Sequence, residues 1–208
     1  VVEADQVGDR GSVMAVDRDV TLLVHLAKRS DVTIVETTVE EFDLPSATLD
    51  LIHTRNALMH IDGADVIIAR LVDALRPGGC PVLEEADYFP LAGMTSPALY
   101  DAASALVAKW TGARTMRDTV SQLPVCDIDV TIDTSMLRGR SPKAAFWIHT
   151  FRSVRHRLTA PELAASNGCP SVTQATFGEP MTLLGDQTFW TPLAAVVCVS
   201  CKRCPATA

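Results

Sequence analysis

Residues 49–85, LDLIHTRNALMHIDGADVIIARLVDALRPGGCPVLEE, decide the fold. Leu49, Leu51 and Ile52 make a short apolar run after the turn residues Asp43, Pro45 and Ser46, and Pro81, Val82 and Leu83 make another after Gly78-Gly79. Both runs have the length and setting of buried strands. Between them Val66, Ile67, Leu71, Ala74 and Leu75 recur at helical spacing, and Arg76-Pro77-Gly78-Gly79 stops that helix. Strand, helix and strand in that order predict a βαβ crossover, hence two parallel strands and an α/β protein.

Working outward from this unit, Ser12 to Val16 is an apolar run closed by Asp17, Val20 to Lys28 has the apolar spacing of a helix, and Val32 to Val35 reads as the next strand. Downstream, Pro97 to Gly112 predicts a helix with Leu99, Ala103, Leu106 and Trp110 on one face. Ile128, Val130 and Ile132 alternate with polar residues as in a half-exposed strand. From Ala144 a helix sets Trp147, Phe151, Val154 and Leu158 on one face. Thr159-Ala160-Pro161-Glu162 is a capping box for another helix that Gly168 ends. Pro180 to Pro192 reads as irregular, and Leu193 to Val199 as a last strand. The strands therefore lie near 13–17, 32–36, 49–53, 80–85, 127–133 and 193–199.

A chain of 208 residues with 48% hydrophobic content can bury a substantial core and is expected to form a single domain over 1–208. Within it, 11–87 is read as a cofactor-binding half, and 88–208 as substrate-side helices with the last two strands. The net charge of -7 supplies no electrostatic reason to bind nucleic acid or an anionic membrane, so a small-molecule partner is favoured. The longest apolar stretch, Leu193 to Cys201, is about half of what a membrane-spanning helix needs, and no span is predicted. VVEADQVGDRG lacks the basic then apolar pattern of a signal peptide, and six cysteines in this length are no disulfide scaffold, which together point to a reducing, cytoplasmic setting. Cys198, Cys201 and Cys204 imitate the spacing of iron–sulfur ligands. A strand, however, splays residues three apart onto opposite faces, so no metal is expected there.

The segments xDLIxxxxxLxHI, LRPGG and the acids Glu84, Glu85 and Asp87 together resemble the back half of a class I S-adenosylmethionine-dependent methyltransferase of the small-molecule type. The resemblance covers about residues 11–87 and implies a Rossmann-like, doubly wound, mostly parallel sheet. It also implies S-adenosyl-L-methionine as cofactor and a small-molecule methyl acceptor. The family's sheet has seven strands. The first of them and its Gly-x-Gly-x-Gly loop are not found, since Gly8 and Gly11 directly precede the acid-terminated strand. Without that loop the chain as given is expected to hold the cofactor poorly, and open strand edges would invite pairing with another copy as a homo-oligomer.

In a nucleotide-binding α/β fold an acid at the carboxyl end of the second strand accepts hydrogen bonds from ribose hydroxyls. Asp17 is that candidate, with Arg18 beside it, although a turn or cap aspartate would look the same locally; Asp19 suits the cap better. Thr38 stands where the family usually has an acid for the adenine amino group, leaving the backbone of Val39 to meet the ring. Thr54 and Arg55, in His53-Thr54-Arg55-Asn56, follow the next strand, where open α/β sheets place ligands. His60 occupies a place where the family often has a histidine near the acceptor, and its pKa range suits a general base; a packed histidine is the plainer alternative. Glu84, Glu85 and Asp87 read as a polar loop rimming the pocket, and Arg152, Arg155, His156 and Arg157 as a solvated helix face. A methyltransferase-like partner subunit without catalysis is a second reading. A nicotinamide oxidoreductase is a weak third, because Tyr100 has no lysine four residues on.

Overall fold

The computed structural model describes residues 5–8, 11–87, 112–158 and 174–204. The chain divides into two compact units, Val1–Pro45 and Ser46–Ala208.

In the first unit, β1 (Val13–Asp17) and β2 (Val32–Glu36) pair in parallel, from Val13 opposite Val32 to Asp17 opposite Glu36. The connection was expected to be an α-helix. It is instead a 3-10 helix over Thr21–Lys28, and burial shows why. Val20, Leu23, Leu26 and Arg29 are the shielded positions while those between them are exposed, a three-residue period that matches three residues per turn. Leu22, 84% exposed, and Val24 point outward, so an α-helical stripe has nothing to cover.

The second unit holds a four-stranded sheet in the order β3-β4-β6-β5, formed by β3 (Leu49–Arg55), β4 (Leu75–Asp87), β5 (Val125–Arg138) and β6 (Trp190–Arg203). β3 and β4 are parallel and joined through α1 (Ala64–Ala74), the predicted crossover, whereas β6 runs antiparallel to both β4 and β5. The buried face of α1 is Ile67, Ile68, Leu71, Val72 and Ala74, and Val66 points to solvent. Ile67, Leu71 and Ala74 are thus buried as predicted, Val66 is not, and Ile68 and Val72 join the face. α1 ends at Ala74, and Leu75 is already extended and opposite Leu49. Arg76-Pro77-Gly78-Gly79 then bulges out of the ladder before Cys80 meets Leu51. Gly78 takes φ +82, and a Cβ on Gly79 would lie 3.0 Å from the Leu49 carbonyl oxygen, so both glycines are required by the backbone.

α2 (Gly112–Ser121) begins where the predicted helix was to end; residues 97–111 of that prediction lie outside the described residues, as does the capping box at 159–162. α3 (Pro142–Leu158) follows the prediction from Ala144. α4 (Gln174–Leu184) runs through Pro180, where irregular chain was expected. Proline forfeits one backbone donor there, and the buried Pro180 ring fills space in return. Val72, Leu75, Leu83, Met116, Val120 and Val199, each no more than 2% exposed, belong to α1, α2, β4 and β6, whose packing makes the principal core; Ala144, Phe151 and Leu184 anchor α3 and α4. Arg203 of β6 closes the carboxyl end of α1, donating to the Asp73 and Leu75 carbonyl oxygens and pairing with the Asp73 carboxylate at 3.2 Å.

Candidate functional site

In the first unit Asp17 lies exposed at the carboxyl end of β1, with Arg18 exposed in the bend after it. Asp17 Oδ1 accepts the Asp19 N–H at 3.0 Å, and the Asp17 carbonyl accepts the Thr37 N–H at 3.0 Å, tying the ends of the two strands together. Asp19 takes the cap-like role foreseen for it, from one position before the assigned N-cap Val20. Its Oδ1 accepts both the N–H, at 3.0 Å, and the hydroxyl of Thr21, and these bonds hold its carboxyl below the usual carboxylate range. Thr38 is half-buried after β2. Its carbonyl accepts the Phe42 N–H at 3.0 Å and its hydroxyl takes the Glu41 N–H at 3.4 Å, so the side chain helps close a turn that includes Val39.

In the second unit the carboxyl ends of β3 and β4 lie side by side. Parity decides which way each side chain faces. His53 and Arg55 share the sheet face of Glu84: His53 Nε2 lies 3.5 Å from Glu84 Oε1, and Arg55 Nε lies 2.9 Å from Glu84 Oε2, an ion pair that misses hydrogen-bond geometry. Thr54 is on the opposite face, opposite Leu83, where its hydroxyl is buried without a hydrogen-bond partner.

Glu85 is the residue whose importance the sequence reading missed. Rather than forming a polar loop that rims the pocket, the acids lie within β4, which runs to Asp87, and Glu85 is 1% exposed. Its Oε1 accepts the N–H groups of Ala57 and Leu58 at 3.1 and 2.9 Å, and its Oε2 that of Met59 at 3.3 Å. Asn56, at φ +51, donates its N–H to the Glu84 carbonyl at 2.8 Å. Burial nevertheless raises the Glu85 pKa, against the lowering effect of the three N–H groups. The signal that could have found it was the two-residue period, since Leu83 and Glu85 must share a face.

His60 ends the 3-10 turn Leu58–His60, exposed, its N–H donated to the Ala57 carbonyl at 3.2 Å. Beside this turn lies a cavity of about 260 Å³, lined on its apolar side by Leu58, Met59, Ile68 and Met116 and reached by Glu85 and Asp65. Among the described residues no three His, Cys, Asp or Glu side chains converge as a metal site would require. Cys80, Cys126, Cys198, Cys201 and Cys204 carry free thiols, Cys169 lying outside the described residues; burial pushes the Cys201 thiol up to about 11. Among the described residues no helix is long and apolar enough to cross a membrane.

Residues 2–83 match the family described as a methyltransferase domain. No curated protein matches the sequence. Among solved structures, phosphoethanolamine N-methyltransferase 2 from Haemonchus contortus, in complex with phosphomonomethylethanolamine and S-adenosylhomocysteine, is 13% identical with a TM-score of 0.54. The match covers 93% of this chain and 44% of that one, so the chain spans less than half of that protein's length. Geranyl diphosphate C-methyltransferase from Streptomyces coelicolor A3(2), in complex with Mg2+, geranyl diphosphate and S-adenosylhomocysteine, is 12% identical with a TM-score of 0.50, over 97% of this chain and 66% of that one. The [4+2]-cyclase SpnF is 10% identical with a TM-score of 0.51, over 98% of this chain and 71% of that one.

Proposed function

From a chain that has the class I S-adenosylmethionine-dependent methyltransferase fold and carries a methyltransferase domain over residues 2–83, we propose a cofactor-dependent methyl transfer to a small-molecule acceptor. The observation that carries this reading is Asp17, an exposed carboxylate at the carboxyl end of a parallel strand inside the matched domain. The residues fit such a cofactor: Asp17 leaves one carboxylate oxygen beyond the Asp19 bond for ribose hydroxyls, and the Thr54 hydroxyl is buried without a partner at another strand's carboxyl end. When bound, S-adenosylmethionine supplies an electrophilic methyl group that an O, N or C nucleophile takes by in-line displacement.

The work of the protein is then mostly positional. In the first unit, Asp17 and Arg18 hold the ribose side, with Thr38 and the Val39 backbone toward the adenine. In the second, Thr54 and Arg55 present polar groups at the end of β3. His60, on the turn beside the apolar cavity, accepts the acceptor's proton. Holding two reactants close and aligned away from water can supply a large share of the rate.

Calorimetric titration with S-adenosylhomocysteine tests the reading. Asp17→Asn is expected to weaken binding by about 1.5–3 kcal/mol, the value of hydrogen bonds to a charged acceptor. Unchanged affinity removes Asp17 from the site. His60→Ala is expected to leave that affinity alone and to lower turnover once an acceptor is in hand. Failure of wild type to bind S-adenosylhomocysteine would count against this reading.

A further inference from the structure

The four successive N–H groups from Asn56 to Met59 are all taken by two successive residues of β4, the first by the Glu84 carbonyl and the next three by the Glu85 carboxylate. These donors open the 3-10 turn, where backbone N–H groups have no partners within the turn itself. A loop of this kind ordinarily relies on water or on its own side chains. Here it is gripped from the neighbouring strand by a group inside the protein, 1% exposed and on the face of Leu83. Thr54 and Arg55 immediately precede the gripped stretch and His60 follows it, while Leu58, Met59 and Glu85 together line the cavity.

We infer that Glu85 is a positioning residue: its carboxylate sets the course of the loop that carries Thr54, Arg55 and His60, and so fixes the polar groups offered to cofactor and acceptor. The inference rests on the cofactor reading above for its functional half, and on the hydrogen bonds alone for its structural half. Glutamine at this place would keep one carbonyl oxygen for Ala57 and Leu58 but would turn an amide N–H toward the Met59 N–H, two donors face to face. A carboxylate is therefore specified rather than any polar group of that size.

The test compares wild type with Glu85→Gln in the full chain by amide hydrogen exchange and by titration with S-adenosylhomocysteine. Exchange at Met59 is expected to rise about tenfold while Leu83 and Val199, in the same core, exchange as before, and the ligand's dissociation constant is expected to rise at least about threefold. Exchange at 57–59 equal to wild type, or a rise shared by Leu83 and Val199, overturns the positioning role. So does a local rise in exchange with ligand affinity unchanged, since Glu85 would then brace the turn without serving the site. A wild-type chain that binds no S-adenosylhomocysteine counts against the cofactor reading, and exchange at Ala57, Leu58 and Met59 still decides whether Glu85 governs the loop.

Discussion

Burial and hydrogen bonding pull the Glu85 carboxyl in opposite directions, and burial is the larger, so its folded pKa lies above the ordinary value of 4.5. Between 4.5 and the folded value the native state holds a proton that the unfolded chain has released, so raising the pH through that window lowers stability. The melting temperature of wild type relative to Glu85→Gln is therefore expected to fall as pH rises from about 4.5 and to level off above the folded pKa. A scan of both proteins across acidic pH checks it; parallel curves would mean that burial does not shift the group. Close approach makes an equally local prediction at Gly139, where an added Cβ would stand 1.8 Å from the Asp186 carbonyl oxygen. The turn after β5 is docked there, with Gly139 N–H on the Phe189 carbonyl and Arg140 N–H on the Leu184 carbonyl, each at 2.9 Å. Gly139→Ala is expected to cost about 1–3 kcal/mol or more in urea unfolding. The place of Asp17 at the end of β1 was legible in the sequence because an acid closing an apolar run is a one-dimensional signal. Glu85 was not, because its role depends on amides 26 to 28 residues away.

At the scale of elements, alternation and apolar runs located every strand that the structure contains among the described residues, but ended four of them early. β4, β5 and β6 are 13 or 14 residues long, and their outer portions carry Asp, Arg, Lys and Pro that read as turns when no partner strand is in view. Ladder hydrogen bonds hold these residues of β5 and β6 extended regardless of side chain, while in β4 Arg76 to Gly79 continue the strand as a bulge. The 3-10 helix was misread for a related reason, since Leu22 and Val24 supply apolar character without burial. Arg203 links elements that are far apart in sequence, its guanidinium on the Asp73 carbonyl near the end of α1 and on the Leu75 carbonyl at the start of β4. Arg203→Ala is expected to destabilise the protein by about 1.5–3 kcal/mol, with faster amide exchange in the last turn of α1. Stability within about 0.5 kcal/mol of wild type would show that water replaces it.

Across the whole molecule, the two units differ sharply in how much they bury. Leu26 is the one fully buried apolar side chain among the described residues of Val1–Pro45, whereas Ser46–Ala208 holds the rest of the core. Amides of the β1–β2 ladder are accordingly expected to exchange faster than those of the β4–β6 ladder, as regions with few buried apolar contacts open at low cost. Comparable protection in the two ladders would refute it. The position of β6 has another consequence, one that concerns synthesis. β6 lies between β4 and β5, yet about fifty residues separate it from β5, which the ribosome adds over several seconds at roughly 5–20 residues per second. Until residue 203 has emerged, β4 and β5 have no strand between them, and the nascent chain must wait with both waiting edges accessible to chaperones or to a neighbouring ribosome's product.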